Sequence, residues 1–174
     1  MFFSMFPLYF HCKSERLSRR RTLRSDECAN MFEEIIMRNS DEFKDRVAVI
    51  TGGSEGIGRN FVRVLCEVGC KVYFCARNAE HGKVVENAYG PKAHFVQVDL
   101  AVPEQINAFA AHVREREGAV DFLVNNAAND DRIKFRDITL EECDRMWKLN
   151  IRPCDFAATH RHLEKQVGAL PGIA

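Results

Sequence analysis

Short apolar runs and longer stretches of helical spacing alternate along the chain from Lys44 to about His162. Arg46–Ile50 (RVAVI) is a continuous β-branched run, the pattern of a parallel strand buried on both faces. Ile57, Phe61, Val62, Leu65 and Val68 then recur on one helical face, and Gly69 ends that helix. Val72–Cys75 (VYFC) predicts a second strand, Asn78–Tyr89 a helix closed by Gly90-Pro91, and Ala93–Val98 (AHFVQV) a third strand. Pro103 suits the first turn of the next helix, which turns Ile106, Phe109, Ala110 and Val113 inward and ends at Gly118. Val120–Val124 (VDFLV) reads as a fourth strand. Thr139, with Glu142 three residues on, forms a capping box. It starts a long helix through Met146, Trp147 and Ile151, with a kink expected at Pro153.

Strict alternation of buried strands and amphipathic helices defines the fold class as α/β. The expectation is a Rossmann-type doubly wound parallel sheet in the order 3-2-1-4, truncated after the fourth strand and the helix that follows it. Residues 44–165 then form a partial nucleotide-binding domain, residues 1–43 a mobile extension, and residues 166–174 an irregular tail. Met1–Phe10 is apolar, but Pro7 interrupts it and it is too short to span a bilayer as a helix. Its apolar part precedes its positive charges, the reverse of a secretory signal. The Arg- and Ser-rich stretch Ser14–Ser25 leaves mitochondrial targeting or peripheral membrane contact open, against which Glu15, Asp26 and Glu27 count.

Composition adds exclusions. A formal net charge of zero argues against a nucleic-acid-binding surface spread over the chain. Seven cysteines, an odd number without CxxC spacing, read as reduced thiols of a cytoplasmic protein rather than a zinc site. His160 and His162, two residues apart, do not share a helix face, so no metal is expected there.

The chemistry gathers where the first strand meets its helix, in Val47–Arg59 (VAVITGGSEGIGR). The first N–H groups of a helix lack intrahelical partners, and the helix dipole favours an anion beside them. Gly52 permits the tight turn, Gly56 lets the backbone approach a pyrophosphate, and Gly58 lets helix and strand pack closely. A carboxylate at the end of the second strand would bind a ribose 2′-hydroxyl; the chain has Cys75-Ala76-Arg77-Asn78 there. The Arg77 guanidinium can instead pair with a 2′-phosphate, while Glu55 in the loop works against one.

These motifs resemble those of the classical short-chain dehydrogenase/reductase family over roughly Lys44–His162. Thr51, Gly52, Gly56 and Gly58 match its TGxxxGxG loop, and Asp99 matches its adenine-contacting acid. Asn125-Asn126-Ala127-Ala128 matches its NNAG motif, with Ala128 in place of Gly, and Asn150 in KLNIR matches the Asn of its catalytic tetrad. The resemblance implies a dinucleotide held by Thr51, Gly52, Ser54, Gly56, Ile57, Gly58, Arg77, Asn78, Asp99, Leu100, Asn125 and Ala127. It implies NADP(H) in preference to NAD(H), because Arg at the place of Arg77 goes with NADP in the family. It also implies interconversion of a small-molecule alcohol and its carbonyl by hydride transfer, and a homo-oligomer with the long helix in the subunit interface. The run NNAANDDR (125–132) is similar to that of family members acting on sugars and polyols.

The family also uses a Tyr as acid/base, a Lys four residues later and a carbonyl-polarising Ser. No Ser follows Ser54 in this sequence and no Tyr follows Tyr89, which leaves Asn150 alone of that set. The chain by itself is therefore expected to be inactive. The alternatives are a non-catalytic dinucleotide-binding or interaction protein, such as a truncated isoform, or a non-functional fragment. A sheet that stops at its fourth strand would leave Val120, Phe122 and Val124 beside an unpaired edge, favouring instability, aggregation or dependence on a partner.

Overall fold

The computed structural model describes residues 2–4, 25–128 and 138–150. Their elements run β1 (Phe2–Ser4), α1 (Ser25–Arg38), α2 (Ser40–Phe43), β2 (Val47–Thr51), α3 (Gly56–Glu67), β3 (Lys71–Ala76), α4 (Ala79–Tyr89), a short 3-10 turn, β4 (Ala93–Gln97), α5 (Pro103–Glu117), β5 (Phe122–Asn125) and α6 (Leu140–Asn150). The strands form one parallel sheet in the order β1-β5-β2-β3-β4. Its four strands β4-β3-β2-β5 are the 3-2-1-4 arrangement expected of alternating units. Pro153, the run 129–132, the two histidines near the C-terminus and the tail 166–174 lie outside the described residues.

Period-two alternation divides the core between the two faces of the sheet. Ala48 and Ile50 of β2, Val72 and Phe74 of β3 and Val124 of β5 point to one face, where Phe61, Val62 and Leu65 of α3 and Val85 of α4 cover them. Val47, Val49, Tyr73, Cys75 and Leu123 point to the other, under Ile106, Phe109, Ala110 and Val113 of α5 and Leu149 of α6. Every residue of β2 is buried, which explains why its sequence is unbroken apolar rather than alternating. Burial also pushes the thiols of Cys66, Cys70 and Cys75 up to about 12, so these side chains pack as small apolar groups.

Helix ends follow their local signals. Thr139 and Glu142 exchange bonds at the start of α6: Thr139 N–H donates to Glu142 Oε2 at 2.9 Å, and Glu142 N–H donates to Thr139 Oγ1 at 3.3 Å. The side chain of Asn78 accepts the His81 N–H at 3.1 Å and caps α4.

Two features differ from the sequence expectation. The fourth-strand edge is not open: β1 pairs with β5 in parallel, Phe3 opposite Val124. Organised structure also begins before Phe43. Helix α1 packs on α3, with Ile36 buried in the core and Glu33 paired with Arg63 at 2.7 Å. Backbone pairing between strands this far apart leaves no local periodicity, and neighbouring Ile35 and Met37 of α1 are exposed while Ile36 is buried, so no apolar run there separates core from surface positions.

Candidate functional site

The strands β2, β3 and β5 all end at one edge of the sheet, and the glycine loop closes over that edge. Gly52 takes φ +70°, the left-handed turn out of β2, and its N–H donates to the Cys75 carbonyl at 2.8 Å. Gly53 N–H donates to the same oxygen at 3.1 Å. Thr51 is buried, and its hydroxyl oxygen accepts the N–H groups of Asn126 and Ala127 at 3.0 and 3.1 Å. The side-chain amide of Asn126 donates in turn to the carbonyls of Thr51 and Gly52. The loop is thus pinned to the strand on either side of β2 before any ligand is present.

Behind the loop, Gly58 has no space for a side chain: an added Cβ would collide with the Gly52 carbonyl and the Asn126 amide. That close approach sets the N-terminus of α3 directly against the loop. No side chain caps this helix and no acidic residue occupies its first turn. Its leading N–H groups and positive dipole end are therefore available to an anion.

A cavity of about 740 Å³ opens in front of α3. Gly52, Ser54, Gly56, Arg77, Asn78, Leu100 and Ala127 of the sequence-predicted set line it. Around Gly56 the space is open, as a cradle for a ligand's phosphate requires. Arg77 also borders an adjoining cavity of about 480 Å³ with Gln97, Asp99 and Gln105. Asp99 is fixed there by two local bonds: its Oδ1 accepts the Ala101 N–H at 2.9 Å, and its own N–H donates to Gln105 Oε1 at 2.7 Å.

The remaining expected residues stand behind these walls. Thr51 ties strand ends together, Ile57 packs against the core, and Gly58 provides the helix–strand contact. Asn125 is buried, and its side-chain oxygen has no partner among the described residues. Asn150 ends α6, half-buried, one residue after Leu149, which does line the main cavity. Glu55 of the loop and Asn126 and Ala128 of the NNAA run, motifs the sequence singled out, also line the cavity, as do Ala76, Val98 and Leu149, which sequence reasoning passed over. The second Asn of the NNAA run was a visible signal; Ala76, Val98 and Leu149 are indistinguishable from core residues until the strands are paired.

The geometry fits a dinucleotide: an uncapped helix N-terminus for a pyrophosphate, a guanidinium on the rim and apolar walls from Ala76, Val98 and Leu100. Comparisons with known proteins agree. The short chain dehydrogenase family profile matches residues 46–166. A probable galactose dehydrogenase of Rhizobium meliloti is 34% identical over 133 residues, which cover 73% of this chain and 52% of that protein. An L-rhamnose 1-dehydrogenase (NADP(+)) of Thermoplasma acidophilum is 37% identical over 114 residues, 63% of this chain and 45% of that protein. A crystal structure of a short-chain dehydrogenase from Streptomyces avermitilis superposes with a TM-score of 0.62 at 31% identity, covering 68% of this chain and 43% of that one. The chain thus spans about half the length of the curated relatives it matches.

Proposed function

The chain belongs to the short-chain dehydrogenase family, and on that premise we propose that its cavity binds NADP(H) in preference to NAD(H), for hydride exchange between a small alcohol and its carbonyl. The observation that carries the reading is Arg77 on the rim of both cavities, with no carboxylate at the end of β3. A guanidinium there offers paired donors to a 2′-phosphate, whereas NAD selection calls for an acceptor of the ribose hydroxyl. The uncapped end of α3 would hold a pyrophosphate, Ala76, Val98 and Leu100 would supply apolar walls for a base, and Asp99 would supply an acceptor in the adjoining cavity. The nicotinamide, when bound, supplies or accepts the hydride. Asn150, at the end of α6, belongs to the group that serves proton movement at the substrate oxygen.

The substrate class we propose is a sugar or polyol. Relatives named for galactose, L-rhamnose and galactitol support it. Contact between copies through α6 is supported by Leu140, Cys143 and Trp147, which recur at helical spacing and are all exposed.

A second reading is dinucleotide binding without turnover by the 174-residue chain alone. It is favoured because no Ser follows Ser54 and no Tyr follows Tyr89. Titration of this chain with NADPH and NADH, followed by assay with galactose, rhamnose and galactitol, tests both. Tighter NADPH binding supports the cofactor assignment, and equal or tighter NADH binding overturns it. Turnover by this chain overturns the second reading.

A further inference from the structure

Arg77 is the residue that the two cavities share. Among the described residues its guanidinium makes no hydrogen bond or ion pair, so its reach is set by where its backbone stands. Whatever fixes that backbone is therefore part of the 2′-phosphate seat, under the NADP(H) reading on which this inference rests.

Strand β3 ends at Ala76, one residue before Arg77. Ala76 stands opposite Gln97 of β4, and its carbonyl accepts the Val98 N–H at 3.1 Å. One residue further the strand has ended, but the side chain of Gln97 supplies the next donor: Nε2 donates to the Arg77 carbonyl at 2.9 Å. Asn78 then caps α4 by accepting the His81 N–H. The sheet thus holds Ala76, the helix start holds Asn78, and Gln97 holds the carbonyl between them. Gln97 is exposed, so water could satisfy its amide and burial does not demand this bond. It also lines the adjoining cavity, beside Arg77.

We propose that Gln97 is a positioning residue for cofactor selectivity: its amide fixes the Arg77 peptide, so that the guanidinium starts from a set backbone position when a 2′-phosphate arrives. Ligand binding then does not bear the cost of ordering this turn. A ligand without the 2′-phosphate gives the guanidinium no such anion to pair with and gains little from the bond. The signature is a preference that depends on Gln97 only while Arg77 is present.

The test uses adenosine fragments, which report the rim without the nicotinamide. Binding of 2′,5′-ADP and 5′-AMP is measured by calorimetry on the full 174-residue chain and on Gln97→Met, Gln97→Glu, Arg77→Ala and the Gln97→Met/Arg77→Ala double variant. The wild-type chain is expected to prefer 2′,5′-ADP, and Arg77→Ala to lose that preference. Gln97→Met, which keeps the length but not the donor, should lower the preference about three- to tenfold, the effect of one hydrogen bond. Gln97→Glu, whose carboxylate would face the Arg77 carbonyl, should lower it further. Once Arg77 is alanine, Gln97→Met should cost no more 2′,5′-ADP affinity. An unchanged preference in Gln97→Met, equal weakening of both fragments, or the same loss with and without Arg77 each overturns the positioning role. A wild-type chain that binds 2′,5′-ADP no better than 5′-AMP overturns the NADP(H) reading itself, and the role of Gln97 with it.

Discussion

The side-chain amide of Asn126 donates to the Gly52 carbonyl at 3.1 Å, joining the end of β5 to the turn that leaves β2. The same amide donates to the Thr51 carbonyl at 3.1 Å, so one side chain holds two consecutive loop carbonyls. Asn126→Ala leaves both without this donor and is expected to cost about 1–3 kcal/mol, read from urea denaturation midpoints. Asn126→Asp should cost more, because a carboxylate would face two carbonyl oxygens. Dinucleotide affinity should fall in both variants, since the loop would have to be ordered by the ligand.

Gly58 and Gly56 stand two residues apart but should respond differently to alanine. At Gly58 the new Cβ meets the Gly52 carbonyl and the Asn126 amide, both fixed, so α3 has to move away from the sheet. The expected loss is about 3 kcal/mol or more. At Gly56 nothing lies in the way, and the cost is the φ of +53°, about 1 kcal/mol. Thermal melts of the two variants should rank accordingly, while Gly56→Ala weakens nucleotide binding beyond its small effect on stability.

The contrast between these glycines also explains what was legible in the sequence. The loop was readable because its geometry rests on local spacing, strand to glycines to helix. The strands β2 and β3 announced themselves because burial on both faces demands continuous apolar runs. The capping box at Thr139 is likewise a four-residue signal. What escaped was set by distance along the chain. The pairing of β1 with β5, the bond from His81 to Glu55 and the cavity face of Leu149 each join segments whose proximity only the assembled sheet creates.

Pairing of β1 makes the N-terminal residues a contributor to solubility. Without Phe2–Ser4, the N–H and C=O groups on the outer side of β5 lose their ladder and become a template for another chain. A variant lacking residues 1–4 should melt at a lower temperature than the full chain and elute earlier in size-exclusion chromatography as its concentration rises. Unchanged melting and elution would show that β1 does not protect this edge.

The far end of the sheet carries a titrating cluster that should set the pH range of stability. Tyr73 donates to Glu117 Oε1 at 2.6 Å, Lys71 reaches the same carboxylate at 2.8 Å, and Tyr73 stacks on His94 with centroids 4.7 Å apart. Burial opposes the charge on Glu117, but the bonds from Lys71 and Tyr73 outweigh it and hold the carboxyl below its ordinary 4.5. Burial, with Lys71 nearby, lowers His94; burial, with Arg116 nearby, lowers His112, both from 6.5. Burial and the bond to Glu117 push Tyr73 up to about 12. For the two histidines and Glu117 the unfolded chain binds more protons than the folded one, so their contribution is complete above the unfolded values and is lost as pH falls. Stability should therefore drop below about pH 6.5, through the histidines, and again below about pH 4.5, through Glu117. Tyr73 acts at the other limb: the folded chain keeps its proton longer, and stability declines between pH 10 and about 12. Melting temperature measured from pH 4 to 11 should trace a plateau between these limits. His94→Gln should flatten the first acid step, and Tyr73→Phe should flatten the alkaline limb while lowering the plateau by the loss of one charge-assisted bond, about 1.5–3 kcal/mol.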